Sequence, residues 1–261
     1  VDFHGSTNSA EFVDGVTLDA DLVLGGSGTS LEVRNGLTLN GAANLWGSSA
    51  TLNFAGTQTL GASAGQSTTV DMVPFNSVLR VLDGGTLTLD ETVTVSGEGY
   101  IAGFGAGHAV VNEGLIHADH ASGYMRITAD SFTNTGTLRA SSNGSLSLQG
   151  ASWDNDGTIE LDGGNLYLYG SGSTEDLNQS NFVRGAGSHV YLAASLDNTG
   201  ELLSQVGAIE FLGGSVTGGT SSVDFHGSTN SAEFVDGVTL DADLVLGGSG
   251  TSLEVRNGLT L

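Results

Sequence analysis

The sequence predicts an all-β chain folded as a parallel, right-handed β-helix, a solenoid with about 20 to 22 residues per coil. Three observations predict it. The segment Val1 to Leu39 returns unchanged as Val223 to Leu261, so the long repeat is the stretch 1–222. A shorter period of about 21 residues runs inside that long unit. Short stretches with alternating apolar and polar residues recur at this period, and fixed periods indicate a stacked repeat architecture.

The long repeat divides the chain into one unit, residues 1–222, and the start of a second unit, residues 223–261. At the short period the first unit holds about ten coils. Two copies would diverge first at surface positions, so their identity indicates recent duplication, recombination between copies, or a segment taken from a tandem array. We therefore expect further copies of the unit as partners, joined covalently or stacked end to end.

Columns of apolar residues carry the short period. The sets spaced at this period are Leu18, Leu39 and Leu60; Leu31 and Leu52; Ile127 and Leu148; and Leu138 and Ile159. Alternating stretches such as Leu146-Ser147-Leu148, bounded by Gly, Asn, Asp and Ser, indicate short half-buried strands. A propeller blade takes about 40 to 50 residues, so the shorter coil favours a solenoid in which each strand lies on its equivalent in the next coil.

A turn motif, Asn-x-Gly, supports the same stacking. Its members are Asn112 with Gly114, Asn134 with Gly136, Asn155 with Gly157, and Asn198 with Gly200, the first three one coil apart and the last about two coils further on. Glycine tolerates the positive φ that a tight corner can require. Asparagines at the same corner of successive coils can hydrogen-bond to one another. The alternative, that Asn and Gly only mark loops, does not account for the spacing.

Four segments depart from the regular register: residues 57–83, 96–108, 171–187 and 213–233. We expect them to loop out of the stack, since insertions in a solenoid are accommodated on its surface. Such loops would carry any specific contact.

The charge balance excludes several classes of partner. The chain has 29 acidic residues against 6 arginines and no lysine, a net charge of −23, and nucleic acids and anionic membrane surfaces require clustered cations. No apolar stretch of about 18 residues is present, so the sequence predicts no membrane-inserted segment here. The absence of cysteine fits an exported bacterial protein and equally a cytosolic one.

Two phrases resemble a known class of repeats. They are Asn-x-Gly-Thr-Leu/Ile, as at Asn134 to Leu138, and Gly-Gly-x-Leu-x-Leu, as at Gly163 to Leu168. Over most of residues 12–212 the chain resembles the β-helical repeats of large secreted bacterial surface proteins of the filamentous-haemagglutinin and autotransporter-passenger type. The resemblance implies export, an extracellular or cell-surface location, and a role in adhesion or extracellular structure.

Carboxylates and histidines offer candidate metal ligands. Asp14, Asp19 and Asp21 could bind Ca²⁺ through oxygen ligands, although a solubilising acidic face is the simpler interpretation. His117 and His120 lack a third ligand nearby in sequence, which favours a solvated strand end. We expect no required cofactor, with Ca²⁺ as the one candidate ligand.

Tyr167, Tyr169 and Tyr191 fall at outward positions and could form a strip on which sugars stack, or could pack across strands and shield the sheet. Threonine pairs at Thr57/Thr59, Thr86/Thr88 and Thr92/Thr94 do not recur at the coil period, so their β propensity explains them.

The leading functional hypothesis is a structural one: a stiff, acidic extracellular fibre or stalk, as in a biofilm matrix, built by stacking β-helical units. An adhesin that binds a glycan or another cell through its loops or tyrosines is the alternative. A polysaccharide-active enzyme ranks third, because abundant acids and six dispersed arginines specify no catalytic pair. We therefore expect no enzymatic activity.

Overall fold

In a computed structural model the chain is a parallel β-solenoid of about twelve turns, which confirms the predicted fold class. The structure describes residues 3–7, 11–74, 76–103, 106–178, 181–230 and 232–261. Across these ranges the regular elements are all strands, and none is a helix. Parts of the first repeat copy, and Phe75, Phe104, Gly105, Gln179, Ser180 and Ser231 within the expected excursions, lie outside the described residues. The right-handed sense of the solenoid stays a prediction.

The strands are short and follow one another closely. In the first third of the chain they are β1 Phe3–His4, β2 Phe12–Leu18, β3 Leu22–Val23, β4 Ser30–Leu39, β5 Ala42–Leu45, β6 Thr51–Ala55, β7 Gln58–Gly61, β8 Thr68–Met72, β9 Val78–Leu82 and β10 Thr86–Leu89. In the middle they are β11 Val93–Gly97, β12 Gly99–Gly103, β13 Ala109–Asn112, β14 Leu115–Ala118, β15 Tyr124–Thr128, β16 Ser131–Asn134, β17 Thr137–Ser141, β18 Ser145–Leu148, β19 Ser152–Asn155, β20 Thr158–Asp162 and β21 Asn165–Leu168. In the last third they are β22 Ser171–Ser173, β23 Phe182–Arg184, β24 His189–Leu192, β25 Ser195–Asp197, β26 Leu202–Leu203, β27 Ile209–Phe211, β28 Ser215–Thr217, β29 Thr220–Ser221, β30 Phe225–His226, β31 Phe234–Leu240, β32 Leu244–Val245 and β33 Glu254–Thr260.

Three strands make one turn, so the solenoid has three faces, each a parallel ladder. Face 1 contains β1, β3, β5, β8, β11, β14, β17, β20 and β23, and in the later turns β26, β29 and the second half of β31 occupy the same position. Face 2 begins with the first halves of β2 and β4 and continues through β6, β9, β12, β15, β18, β21, β24, β27, β30 and β32. Each strand of face 3 comes directly after a face 2 strand in the chain. The strands of face 3 are β7, β10, β13, β16, β19, β22, β25, β28 and β31.

The core is a set of apolar columns that run along the axis. One unbroken column on face 2 consists of Leu31, Leu52, Leu79, Ile101, Ile127, Leu148, Leu168, Leu192 and Phe211. Every member is buried. The alternation read from sequence is the cause, because successive side chains of a strand point to opposite sides. Burying each such side chain contributes roughly 1.5–3 kcal/mol relative to leaving it in water.

The turns differ in length more than the mean period indicates. Ile209 pairs with Phe225 across a short turn, whereas Leu60 pairs with Leu89 across a much longer one. The expected column of Leu18, Leu39 and Leu60 is wrong in its last member, since Leu60 pairs with Leu37. A longer or shorter corner absorbs the difference while the strands keep their ladders.

The four segments expected to loop out contribute strands to the stack. Residues 57–83 contain β7, β8 and β9, and residues 213–233 contain β28, β29 and β30, all of them paired with neighbouring turns. The threonine pairs do not recur at the mean coil period, yet Thr59 and Thr88 are paired on face 3. Their spacing is longer than the mean period because the turn between them is a long one.

Candidate functional site

Where the structure describes both copies of the repeated segment, the two copies have the same internal strand pairing. Phe12 pairs with Glu32 in the first copy and Phe234 with Glu254 in the second, and both ladders shift register at the same glycine. The guanidinium of Arg34 lies 4.0 Å from the Phe12 ring centroid, and that of Arg256 lies 3.7 Å from Phe234. Their sequence therefore specifies a defined local structure.

The second copy packs on the first unit through three parallel strand pairs, which we call the seam. On face 2, β27 pairs with β30; on face 3, β28 pairs with the first half of β31; and β29 pairs with its second half. Backbone hydrogen bonds continue across it, such as Gly218 N to Asp236 O at 2.8 Å and Asp241 N to Ser221 O at 2.7 Å. The passage from one unit to the next thus uses the same backbone pairing as the turns within a unit.

The core is also continuous through the seam. Phe211 of the first unit and Phe225 of the second meet edge to face, with ring centroids 5.4 Å apart. Ile209, Val235 and Leu240 are buried members of the same core. Aromatic pairs in this geometry contribute about 0.5–1.5 kcal/mol beyond the area they bury.

The predicted asparagine ladder occupies one corner of the solenoid. Asn112 Nδ2 donates to Asn134 Oδ1 at 2.7 Å, and Asn134 Nδ2 donates to Asn155 Oδ1 at 2.6 Å. Asn198 Nδ2 donates instead to the carbonyl oxygens of Gly218 and Thr220, at 3.0 Å each. All four asparagines are buried, so each bond compensates an amide that has lost water.

Asp176 is the rung that sequence reasoning missed. It lies one turn after Asn155 and about one turn before Asn198, so the wide gap between those two asparagines holds two ordinary turns. Asn155 Nδ2 donates to the carbonyl oxygen of Asp176 at 3.0 Å, and Asp176 Oδ1 accepts from Asn155 N at 3.0 Å. The carboxylate can only accept, so at this turn the ladder passes through the backbone.

The corner glycines are required by close approach rather than by positive φ. A Cβ on Gly114 would lie 2.2 Å from Val93 O, one on Gly136 would lie 2.2 Å from Gly114 O, and one on Gly157 would lie 2.2 Å from Gly136 O. None of the three has a positive φ. Gly200 is the exception, with φ of 80° and no atom within 4 Å of an added Cβ. The expected reason therefore holds for Gly200 alone.

The tyrosines form a side-chain strip on face 2, which we call the aromatic strip. Tyr124 and Tyr167 are 5.6 Å apart between ring centroids, and Tyr167 and Tyr191 stack at 4.5 Å with 15° between their planes. Burial, together with a hydrogen bond to Tyr124, raises the pKa of the Tyr167 hydroxyl. The strip joins residues that the sequence did not group: Tyr100, Arg126 and His189.

Within the aromatic strip, neighbouring side chains cover faces of the tyrosine rings. The guanidinium of Arg126 lies 4.5 Å from the Tyr124 centroid and 5.3 Å from that of Tyr100. Ser147, which lies between Arg126 and Tyr167 in the ladder, is buried beneath the side chains around it. Tyr169 lies directly after the end of β21, two residues beyond Tyr167, and is partly buried. Since sugars stack on open ring faces, this geometry resembles cross-strand packing more than a sugar platform.

The three candidate calcium ligands each bind the next turn. Asp14 Oδ1 accepts from Asn35 Nδ2 at 2.7 Å, Asp19 Oδ1 from Asn40 Nδ2 at 2.5 Å, and Asp21 Oδ1 from Ala42 N at 2.8 Å. Among the residues that the structure describes, no three histidines or carboxylates are grouped as a metal site would need. The calcium site stays a prediction, and the geometry gives these carboxylates a role in linking turns.

The two histidines have different partners. His117 Nε2 lies 2.9 Å from Ser141 Oγ on the next turn, and burial lowers the pKa of His117. His120 Nδ1 lies 3.6 Å from Glu98 Oε2. Arg139 Nε lies 3.7 Å from Glu160 Oε2. These contacts link neighbouring turns, and the first of them brings the His117 imidazole within hydrogen-bond reach of the Ser141 hydroxyl.

Within the described residues, no helix has the length and apolarity needed to cross a bilayer. No protein-family model, curated protein or solved structure matches the chain. The fold and the seam are therefore the basis for assigning a function.

Proposed function

We propose that this chain is part of a long, stiff, acidic rod in which copies of the β-solenoid unit 1–222 follow one another in tandem, exported to the cell surface or extracellular matrix as a structural fibre or stalk. The observation that carries the proposal is the seam. There a unit start, Val223 to Leu261, stacks on a preceding unit by parallel pairing and with a buried core.

Stacking favours stiffness because the turns share their core. In a solenoid each turn contacts its neighbours, and bending the rod would separate buried columns on one side. The asparagine ladder adds hydrogen bonds between turns in the same direction. At about 4.8 Å per turn, a unit of ten to eleven turns would lengthen the rod by roughly 50 Å.

The charge fits an isolated rod. With 29 acids against 6 arginines, neighbouring rods repel one another at low salt, which keeps them soluble and apart. Extracellular location rests on the resemblance to secreted bacterial repeats, and labelling of intact cells with an antibody against the chain tests it. Labelling only after lysis would contradict export.

The length of the particle tests the rod itself. A chain lengthened by one full unit, with the sequence of residues 40–222 and then 1–39 added after Leu261, should give a single straight particle longer by about 50 Å in electron micrographs. The parent chain, which ends at the same point of the repeat, is the matched control. A particle that gains mass without that gain in length, or that shows two independent bodies, would refute the tandem rod.

A further inference from the structure

We infer that each unit of residues 1–222 makes ten and one third turns, so that successive units of the rod are offset by one face and display every outward ladder on all three sides. The array rests on the proposed function; the offset at the seam does not. The equivalent strands of the two copies lie in different faces of one continuous solenoid.

The number of face 2 strands between the two copies establishes the offset. Face 2 passes from the first half of β2 through nine further strands to β27, and the eleventh strand is β30, so ten turns separate Val13 from Phe225. The equivalent of Val13 is Val235, which comes one face later and pairs with Val216 on face 3.

Other strands of the repeat show the same displacement. Phe3 pairs with Leu22 on face 1, whereas their equivalents Phe225 and Leu244 pair on face 2. The second half of β2 pairs along face 3, whereas the equivalent half of β31 pairs with β29, after the next corner. In each comparison, the strand of the second copy lies one face further on than the equivalent strand of the first copy.

The offset is compatible with an unchanged local fold because the faces are built alike. Each is a parallel ladder with inward apolar residues, so the same strand can add to any of them. The corner at Gly15 lies between faces 2 and 3, and its equivalent at Gly237 lies between face 3 and face 1; both have positive φ, 57° and 61°.

In a tandem array the offset accumulates. Three units complete 31 turns and return to the starting face, which at about 4.8 Å per turn is a true period of roughly 150 Å. The aromatic strip on face 2 of one unit would recur on face 3 of the next unit and on face 1 of the third. The surface to which other molecules have access is thus repeated around the rod every third of this period.

Disulfide trapping tests the offset in the parent chain, which has no cysteine of its own. Glu210 and His226 are outward partners across the seam on face 2, and Thr217 and Asp236 are partners on face 3. Neighbouring strand positions fall within the Cα separation that a disulfide spans, about 4.4–6.8 Å. The pairs Glu210→Cys with His226→Cys and Thr217→Cys with Asp236→Cys should each close under mild oxidation.

The control pair is Ser204→Cys with His226→Cys, which would meet if the unit made a whole number of turns and kept the second copy on face 1. It should stay reduced in a variant whose circular dichroism matches that of the parent. Closure of the control pair, or failure of both seam pairs to close in folded variants, would overturn the offset. Particle length tests the rod proposal separately. A long rod in which the control pair closes would refute the offset and would still support the tandem rod.

Discussion

The same repeated segment occurs twice in this chain, and its burial differs between the copies. Leu24 and Val33 are fully buried in the first copy, whereas their equivalents Leu246 and Val255 are 48% and 47% exposed. The opposite holds at the other side of the repeat, where Phe12 is 50% exposed and Phe234 is partly covered. Since the sequence and internal pairing are the same, burial depends on which turn lies next to the segment.

This difference shows that the turn is not an independent unit of stability. An apolar residue of one turn completes its core only when the neighbouring turn covers it, as expected for a structure whose stability is a sum of repeats and interfaces. Identical substitutions in the two copies therefore separate the contribution of the interface from that of the local sequence.

The largest expected difference is at the buried leucine. Leu24→Ala should lower the free energy of unfolding by about 2–5 kcal/mol, because it leaves a cavity in the core. Leu246→Ala, the same change in the same local sequence, should cost about 0.5 kcal/mol, as for other surface substitutions. Urea unfolding followed by circular dichroism measures both, and equal costs would contradict the role assigned to the covering turn.

A second prediction concerns the corner where turns approach closely. Gly136→Ala would place a Cβ against Gly114 O of the previous turn, and we expect a loss of about 1–3 kcal/mol in unfolding free energy from overpacking. Gly200→Ala, where space is free but φ is positive, should cost less, about 1 kcal/mol. If Gly200→Ala proves the more costly change, backbone conformation and not the approach of turns explains the corner glycines.

The asparagine ladder should contribute a smaller amount. Asn134→Ala removes both amide–amide hydrogen bonds that Asn134 makes to neighbouring turns and leaves buried groups without partners, which should cost about 1–2 kcal/mol. Thr133→Ala, one position away with an outward side chain, should change stability by less than about 0.5 kcal/mol. Thermal unfolding of the two variants checks the contrast, and indistinguishable melting temperatures would show that the asparagine ladder does not contribute to stability.

The smallest predicted effect is a pH-dependent change in stability caused by Asp154, which lies near Asp176. Burial, followed by the nearby Asp176 carboxylate, raises the pKa of Asp154 above its ordinary value of 3.8. A carboxyl group whose pKa is higher in the folded chain than in the unfolded chain stabilises the fold fully below the unfolded-state pKa. This stabilisation is lost as the pH rises through the folded-state pKa. Asp154→Asn should therefore stabilise the chain at neutral pH relative to the parent, with the difference shrinking towards pH 3.8. A constant difference across that range would show that the carboxylate charge is not the cause.

Much of this structure could be predicted from the sequence because strand alternation and stacking leave direct signals. The column of Leu31 and Leu52 and the ladder from Asn112 to Asn155 follow from spacing alone. Asp176 was missed because a carboxylate replaces the amide at that rung. Membership of Tyr124 and Arg126 in the aromatic strip depends on turn lengths that a mean period cannot give.

The offset between units was beyond sequence reasoning for the same reason. Turn lengths vary widely, from the short turn at Ile209 and Phe225 to the long one at Leu60 and Leu89, so a mean turn length does not decide on which face a unit ends. Corner lengths are set by local packing, such as the approach of Gly136 to Gly114 O, which has no period of its own.

The second copy presents the surface that the next unit of the rod would cover. The most direct test repeats Leu246→Ala in a chain lengthened after Leu261 by the sequence of residues 40–222. In the lengthened chain the cost should rise from about 0.5 kcal/mol to the 2–5 kcal/mol expected of Leu24→Ala, because a further turn then covers the side chain. An unchanged cost in a folded, lengthened chain would contradict tandem stacking.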